Sequence, residues 1–102
     1  MRWPLILALV FALSATGAWA DRYSDCNQNK DRDRRIRGCT QIIERGEKET
    51  RKSRGIAYIN RGVVYARKGD KVQAIANYRM ALEINPSHQN AKNNLKALGV
   101  TP

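Results

Sequence analysis

The chain has 102 residues, with 19 Lys and Arg against 9 Asp and Glu and a formal net charge of +10 at pH 7. This length excludes several domains and a large core, so a covalent link or a partner is expected to contribute to stability. The excess of positive charge favours anionic surfaces, acidic proteins or acidic polymers as partners, and it carries no information about mechanism.

Residues 1–20, MRWPLILALVFALSATGAWA, have the pattern of a secretory signal peptide. Arg2 precedes an apolar run at residues 5–13, and the closing AWA fits a small-residue cleavage site. The apolar run is shorter than the roughly 20 residues that span a bilayer. We therefore expect cleavage before Asp21 and an exported protein, periplasmic or secreted, with a net charge of +9 once Arg2 is lost and no later spanning segment.

Residues 21–54 are polar and contain both cysteines. Residues 33–46 are predicted to form a helix that a glycine ends, with an apolar stripe made of Ile36, Cys39, Ile42 and Ile43. The charged segment GEKETRKSR follows, and we expect a solvated loop that can extend a helix at either end. A basic recognition loop is the alternative interpretation of this segment.

Residues 55–86 predict two antiparallel helices. Gly69 ends the first helix after Lys68, Asp70 caps the second, and Pro86 stops the second near residue 85. Apolar residues recur at helical spacing in both helices: Ile56, Tyr58, Ile59, Val63 and Tyr65 in the first, and Val72, Ile75, Tyr78 and Leu82 in the second. Gly62 costs roughly 1 kcal/mol inside a helix, so we expect it to allow close packing, against Ala74.

Seven residues of this hairpin point to a known family: Tyr58, Gly62, Tyr65, Ala74, Tyr78, Ala81 and Pro86. At these spacings they resemble the signature of one tetratricopeptide repeat, a helical hairpin of 34 residues. Arg61 departs from the motif, which usually has an apolar residue there, but an arginine followed by glycine is familiar in secreted bacterial members. The resemblance therefore implies a small secreted bacterial protein of this family.

The resemblance also implies an all-α fold, a short solenoid of antiparallel helical hairpins with five helices. Its expected parts are a degenerate N-terminal repeat over residues 21–54, a complete repeat over residues 55–86 and a capping helix over residues 87–102. In the capping helix Ser87 is the expected N-cap and Gly99 the end. Its apolar face, made of Ala91, Leu95 and Leu98, should cover the end of the core.

The cysteines can be placed by aligning the upstream segment with the repeat. A shift of 39 residues puts Cys26 on Tyr65 and Cys39 on Tyr78, which face each other in the hairpin. The resemblance therefore implies a structural disulfide, formed in the oxidising exported location and worth about 3 kcal/mol. Zinc is disfavoured because His88 is the only histidine and no second cysteine pair exists. A redox pair would more typically have two residues between its cysteines.

No constellation of base, nucleophile or metal ligands is evident, so the sequence predicts a non-enzymatic protein without a cofactor. The resemblance implies a protein–protein interaction module, an adaptor or scaffold in the cell envelope with a protein or peptide partner, an acidic one included. Nucleic acid is not expected as a partner, and self-association stays open. The alternative is a basic envelope-associated protein that binds an anionic polymer or lipid surface.

By resemblance, the partner surface is the concave face formed by the first helices of the repeats. The residues expected on that face are Ile59, Asn60, Val63, Ala66, Arg67, Asn90, Asn93 and Asn94. Some family members clamp a carboxylate there, but Ile59 and Val63 stand where that clamp has polar residues. We therefore expect a groove of mixed apolar and amide character, with ordinary surface or interhelix packing as the alternative role of each residue.

Overall fold

A computed structural model describes residues 22–102 of the chain. The predicted signal peptide and its cleavage site lie outside the described residues. Within residues 22–102, none of the helices combines the length and the apolar character needed to cross a membrane.

Five α-helices and no strand occur in residues 22–102, which confirms the predicted all-α fold. Helix α1 includes residues 22–27, and the others are α2 (Arg32–Glu44), α3 (Arg51–Arg67), α4 (Lys71–Ile84) and α5 (Gln89–Ala97). A 3₁₀ turn, Gly46–Lys48, follows α2. Helix α3 packs against both α2 and α4, and α4 packs against α5.

The turn signals of the central hairpin act as predicted. Gly69 has φ +82° directly after the C-cap residue Lys68, and the Asp70 carboxylate accepts the Gln73 backbone N–H. The predicted N-cap of α5 is wrong, because the cap residue is His88 and not Ser87. Both the backbone N–H and the hydroxyl of Ser87 donate to Asn85 Oδ1, which keeps Ser87 in the turn before the helix.

The predicted charged loop is shorter than the sequence suggested. Helix α3 begins at Arg51, one turn before the hairpin was expected to start, because the hydroxyl of Thr50 caps it by accepting the Ser53 backbone N–H. The connection between α2 and α3 therefore spans residues 45–50 only. This early start lengthens α3 beyond the end of α4, which matters for the groove described below.

Two separate clusters of buried side chains form the interior. The larger joins α3, α4 and α5 through Ile59, Ala74, Tyr78, Ala81, Ala91 and Leu95. The smaller joins the N-terminal helices to α3 through Cys26, Cys39, Ile42 and Ala57. Helix α5 therefore contributes Ala91 and Leu95 to the larger cluster.

Two residues of the predicted apolar stripes are exposed. Val72 is 77% exposed, because the buried stripe of α4 is centred on Ala74 and Ala81 and a helix turns about 100° per residue. Val72, two residues before Ala74, therefore lies on the opposite side of α4. Ile56 is also exposed, because it lines the open groove described below.

The nearest neighbours of Gly62 are Tyr78 and Asn77 rather than the predicted Ala74. A Cβ placed on Gly62 would lie 2.7 Å from Tyr78 Cε1 and 3.1 Å from Asn77 Cβ. In an antiparallel pair, residues equally distant from the turn lie opposite each other. Gly62 precedes Gly69 by seven residues, so its partners lie about seven residues after Gly69, beyond Ala74.

Candidate partner-binding surfaces

Four of the residues predicted to lie on the concave face make contacts within the chain. Ile59 is only 7% exposed in the larger cluster, and Val63 and Ala66 pack against that cluster. The Asn60 amide donates to the Cys26 backbone oxygen at 3.1 Å and to Asn27 Oδ1 at 3.2 Å. Asn60 therefore fixes α1 to α3.

The other four predicted residues lie on two different parts of the surface. Arg67 is exposed and lines a small pocket beside α2. Asn90 is exposed and lines a larger groove, while Asn93 accepts a hydrogen bond from Gln89 and Asn94 is half-buried. The eight residues thus do not form one continuous groove.

The larger groove, which we call the α3–α5 groove, is a candidate site that the sequence did not indicate. It has a volume of about 660 Å³ and lies between the start of α3, the end of α4 and the start of α5. Its lining residues are Arg51, Lys52, Gly55, Ile56, Ile84, Asn85, Pro86, His88 and Asn90. This volume falls in the range typical of ligand-binding clefts.

Local sequence explains why the α3–α5 groove is open. The capping by Thr50 extends α3 by a turn beyond the repeat, and Pro86 separates the end of α4 from the start of α5. Gly55 adds no side chain at the base of the groove, where the nearest atom to a Cβ would be His88 Cδ2 at 3.8 Å. The sequence signal for this groove is therefore the helix cap at Thr50, which starts α3 within the charged segment.

The α3–α5 groove combines apolar and basic surface. Ile56 and Ile84 supply apolar side chains, and Arg51 and Lys52 supply exposed positive charges. None of its nine lining residues is acidic. Such a surface can accommodate an extended segment that carries apolar and negatively charged side chains.

Comparison with known proteins assigns the central hairpin. Residues 55–88 match the family model of the tetratricopeptide repeat. The chain contains a tetratricopeptide repeat. The repeat indicates a protein–protein interaction module and implies protein partners. No curated protein and no solved structure matches the chain significantly.

The departure of this tetratricopeptide repeat from its motif, Arg61, has a structural role. Arg61 Nε donates to Asn77 Oδ1 at 2.7 Å, and Nη1 donates to Thr40 Oγ1 at 3.1 Å. Asn77 is only 3% exposed, and its amide also donates to the Gln73 backbone oxygen. Buried polar groups need hydrogen-bond partners. Arg61 provides one for the buried Asn77 side chain and, through Thr40, links α2 to α3 and α4.

Upstream of the repeat, the predicted disulfide between Cys26 and Cys39 is present, with a Cα–Cα distance of 4.6 Å. Gly38 lies against α1, and a Cβ there would be 2.7 Å from both the Arg22 backbone oxygen and the Cys26 backbone nitrogen. The absence of a side chain at Gly38 is therefore what lets α1 approach α2 closely. Within residues 22–102, no group of His, Cys, Asp and Glu is arranged to bind a metal.

The connection before the repeat contains a buried carboxylate, Glu49, that no sequence pattern indicated. The Glu49 side chain, 6% exposed, accepts hydrogen bonds from the Tyr23 hydroxyl at 2.6 Å and from Arg45 Nε. The hydrogen bonds from Tyr23 and, to a smaller extent, from Arg45 lower the pKa of Glu49. The bond between Tyr23 and Glu49 also raises the pKa of Tyr23. Glu49 thus ties α1 and the end of α2 to the start of α3.

Proposed function

We propose that the chain is an exported, non-catalytic interaction module of the cell envelope that binds an acidic, partly apolar segment of a protein partner in the α3–α5 groove. The observation that carries the proposal is the composition of that groove on a tetratricopeptide repeat. Positive charge, an exposed isoleucine and a volume of about 660 Å³ occur together, with no acidic lining residue. The signal-peptide pattern of residues 1–20 supports export.

Interaction surfaces are usually dominated by a few side chains near their centre. Ile56 is suited to this role because it lies in the groove and is exposed although apolar. Arg51 and Lys52 beside it would increase the rate of association with an acidic segment more than they increase affinity. Binding should therefore weaken with salt but persist at high ionic strength.

The test compares Ile56→Glu with Val72→Glu. Both substitutions place a carboxylate on an exposed apolar position, but Val72 lies outside the groove. The purified mature protein and the two variants are used to retain proteins from envelope extract at low and at high salt, and the retained proteins are identified by mass spectrometry. We expect a partner that wild type and Val72→Glu retain at high salt and that Ile56→Glu loses. Equal retention by both variants would exclude the groove.

Binding to an anionic polymer or lipid surface is the alternative, which the net charge of +10 favours. Vesicles of phosphatidylglycerol and phosphatidylcholine provide the direct assay. Polyelectrolyte-type binding depends on total charge, so it should disappear at high salt and weaken equally in both glutamate variants. If this is the only binding observed, the alternative function replaces the proposed one.

A further inference from the structure

A second, smaller cavity lies at the opposite end of α3 from the groove. It has a volume of about 90 Å³ and is bounded by the loop between α1 and α2, the start of α2 and the end of α3. Three arginines line it: Arg32, Arg35 and Arg67. We call this cavity the arginine pocket.

Arg35 is the most unusual of the three, because it is a charged side chain that is only 8% exposed. Its Nε donates to the Cys26 backbone oxygen at 3.1 Å. No acceptor within residues 22–102 contacts its two terminal nitrogens, and neither of them is sealed from solvent. Both terminal nitrogens therefore remain available to a molecule in the pocket.

The surroundings of Arg35 do not compensate its charge. Burial, and then the positive charge of Arg67, lower the pKa of Arg35. No ion pair within residues 22–102 joins Arg32, Arg35 or Arg67 to a carboxylate. A buried charge without a counter-charge is costly, so a bound anion would relieve an unfavourable arrangement.

The one acidic residue that lines the pocket is already engaged. Asp31 is the N-cap of α2, and its Oδ1 accepts the Arg34 backbone N–H at 3.0 Å. The neighbouring Gln28 uses its amide oxygen to accept the backbone N–H groups of Lys30 and Asp31, and its amide nitrogen donates to the backbone oxygens of Asp25 and Asp31. These bonds fix the loop, so this side of the pocket is formed before any ligand arrives.

We propose that Arg35 and Arg67 bind one compact oxyanion, a carboxylate or a phosphate group, in the arginine pocket. Planar guanidinium groups suit such anions because they can donate two parallel hydrogen bonds to them. The volume of about 90 Å³ admits a small polyatomic anion and is well below that of clefts for drug-sized ligands. This site is separate from the α3–α5 groove and does not depend on the function proposed for it.

The experiment titrates the oxidised mature protein with inorganic phosphate at constant ionic strength, with chloride as the replaced anion. The Nε–Hε resonance of Arg35 in ¹H–¹⁵N spectra reports occupation directly, and the melting temperature reports the linked stabilisation. Arg67→Gln is the test variant because Arg67 is exposed, so its loss should not disturb folding. Arg37→Gln is the matched control, an exposed arginine of α2 outside the pocket.

We expect saturable shifts of the Arg35 resonance, with a dissociation constant that rises about tenfold or more in Arg67→Gln, since charge-assisted hydrogen bonds are worth about 1.5–3 kcal/mol. In Arg37→Gln the constant should stay within about twofold, as expected of an exposed site. Competition by acetate would identify a carboxylate as an equivalent ligand, whereas its failure to compete would restrict the site to phosphate groups. An unchanged Arg35 resonance, or equal weakening in both variants, would overturn the proposal.

Discussion

Three glycines of the described chain differ in what surrounds them, although all lie within helices and are buried. Gly62 faces the ring of Tyr78, Gly38 faces the backbone of α1, and Gly55 faces the His88 ring at a distance that leaves room for a methyl group. Gly38 and Gly62 therefore allow two helices to approach closely, whereas no close helix contact depends on Gly55. Substitution by alanine separates these cases, because it adds one methyl group and improves helix propensity equally at each position.

Gly62→Ala should destabilise the protein and Gly55→Ala should stabilise it. The added methyl group at Gly62 would lie 2.7 Å from the buried Tyr78 ring, and overpacking of this kind costs about 1–3 kcal/mol. At Gly55 the nearest atom is 3.8 Å away, so the helix-propensity gain of up to about 1 kcal/mol should remain. Urea unfolding of both variants measures the two changes. Equal free energies of unfolding would show that Gly62 is not a packing constraint.

The sequence predicted part of this residue-level detail. It indicated that Gly62 needs a close contact, because a glycine inside a helix has a cost that something must offset. It did not identify Tyr78 and Asn77 as the contacting residues, and it missed Gly38 entirely. Those contacts depend on how residues of two helices are paired across a turn or a disulfide, which the periodicity of either helix alone does not determine.

Among the helices, the central hairpin was the most predictable element and the connection before it the least. Gly69, Asp70 and Pro86 act on their immediate neighbours, so their effects can be derived locally. Glu49, in contrast, forms a hydrogen bond with Tyr23 of α1, which lies 26 residues earlier in the sequence. A charged residue in a short polar segment has no local signal that distinguishes such a contact from a solvated surface position.

The connection between α2 and α3 should respond to acid through Glu49. Its pKa is lower in the folded protein than the usual value near 4.5, so its contribution to stability is complete above that pH and is lost as the pH falls through the folded-state pKa. Glu49→Gln should therefore reduce the free energy of unfolding at pH 7 by about 1–2 kcal/mol, and the difference should shrink below pH 4.

Urea unfolding of wild type and Glu49→Gln at pH 7 and pH 3 measures this dependence. Glu47→Gln is the control, because Glu47 is exposed in the same connection and forms no ion pair within residues 22–102. It should change the stability at both pH values by less than about 0.5 kcal/mol. A difference between wild type and Glu49→Gln that is as large at pH 3 as at pH 7 would contradict the assigned role.

At the scale of the whole described chain, stability is distributed unevenly between the two clusters. The larger cluster contains a tyrosine, an isoleucine and a leucine, and further apolar side chains pack around it. The smaller cluster consists of two cysteines, one isoleucine and one alanine, with Ile43 beside it. Polar contacts from Asn60 and Arg61 join the two parts. The N-terminal part therefore depends on its disulfide more than the repeat depends on any single contact.

Reduction of the bond between Cys26 and Cys39 should loosen the N-terminal part first. Closing a loop of this length is worth about 3 kcal/mol, which corresponds to roughly a hundredfold change in local opening. Hydrogen bonds from Arg35 and Asn60 to Cys26 and from Tyr23 to Glu49 would remain. The two bonds with a charged partner are worth about 1.5–3 kcal/mol each and the Asn60 bond about 1 kcal/mol, whereas ordering each residue of α1 costs about 1–2 kcal/mol of backbone entropy.

Hydrogen exchange measured with and without reductant tests this expectation, and the protein provides its own control region. Amides of residues 22–30 should lose most of their protection on reduction, while those of residues 55–98 serve as the internal control and keep theirs, since α3, α4 and α5 share the larger cluster. Unchanged protection in residues 22–30 would mean that the polar contacts alone hold α1. Simultaneous loss in both regions would mean that the two clusters unfold as one cooperative unit.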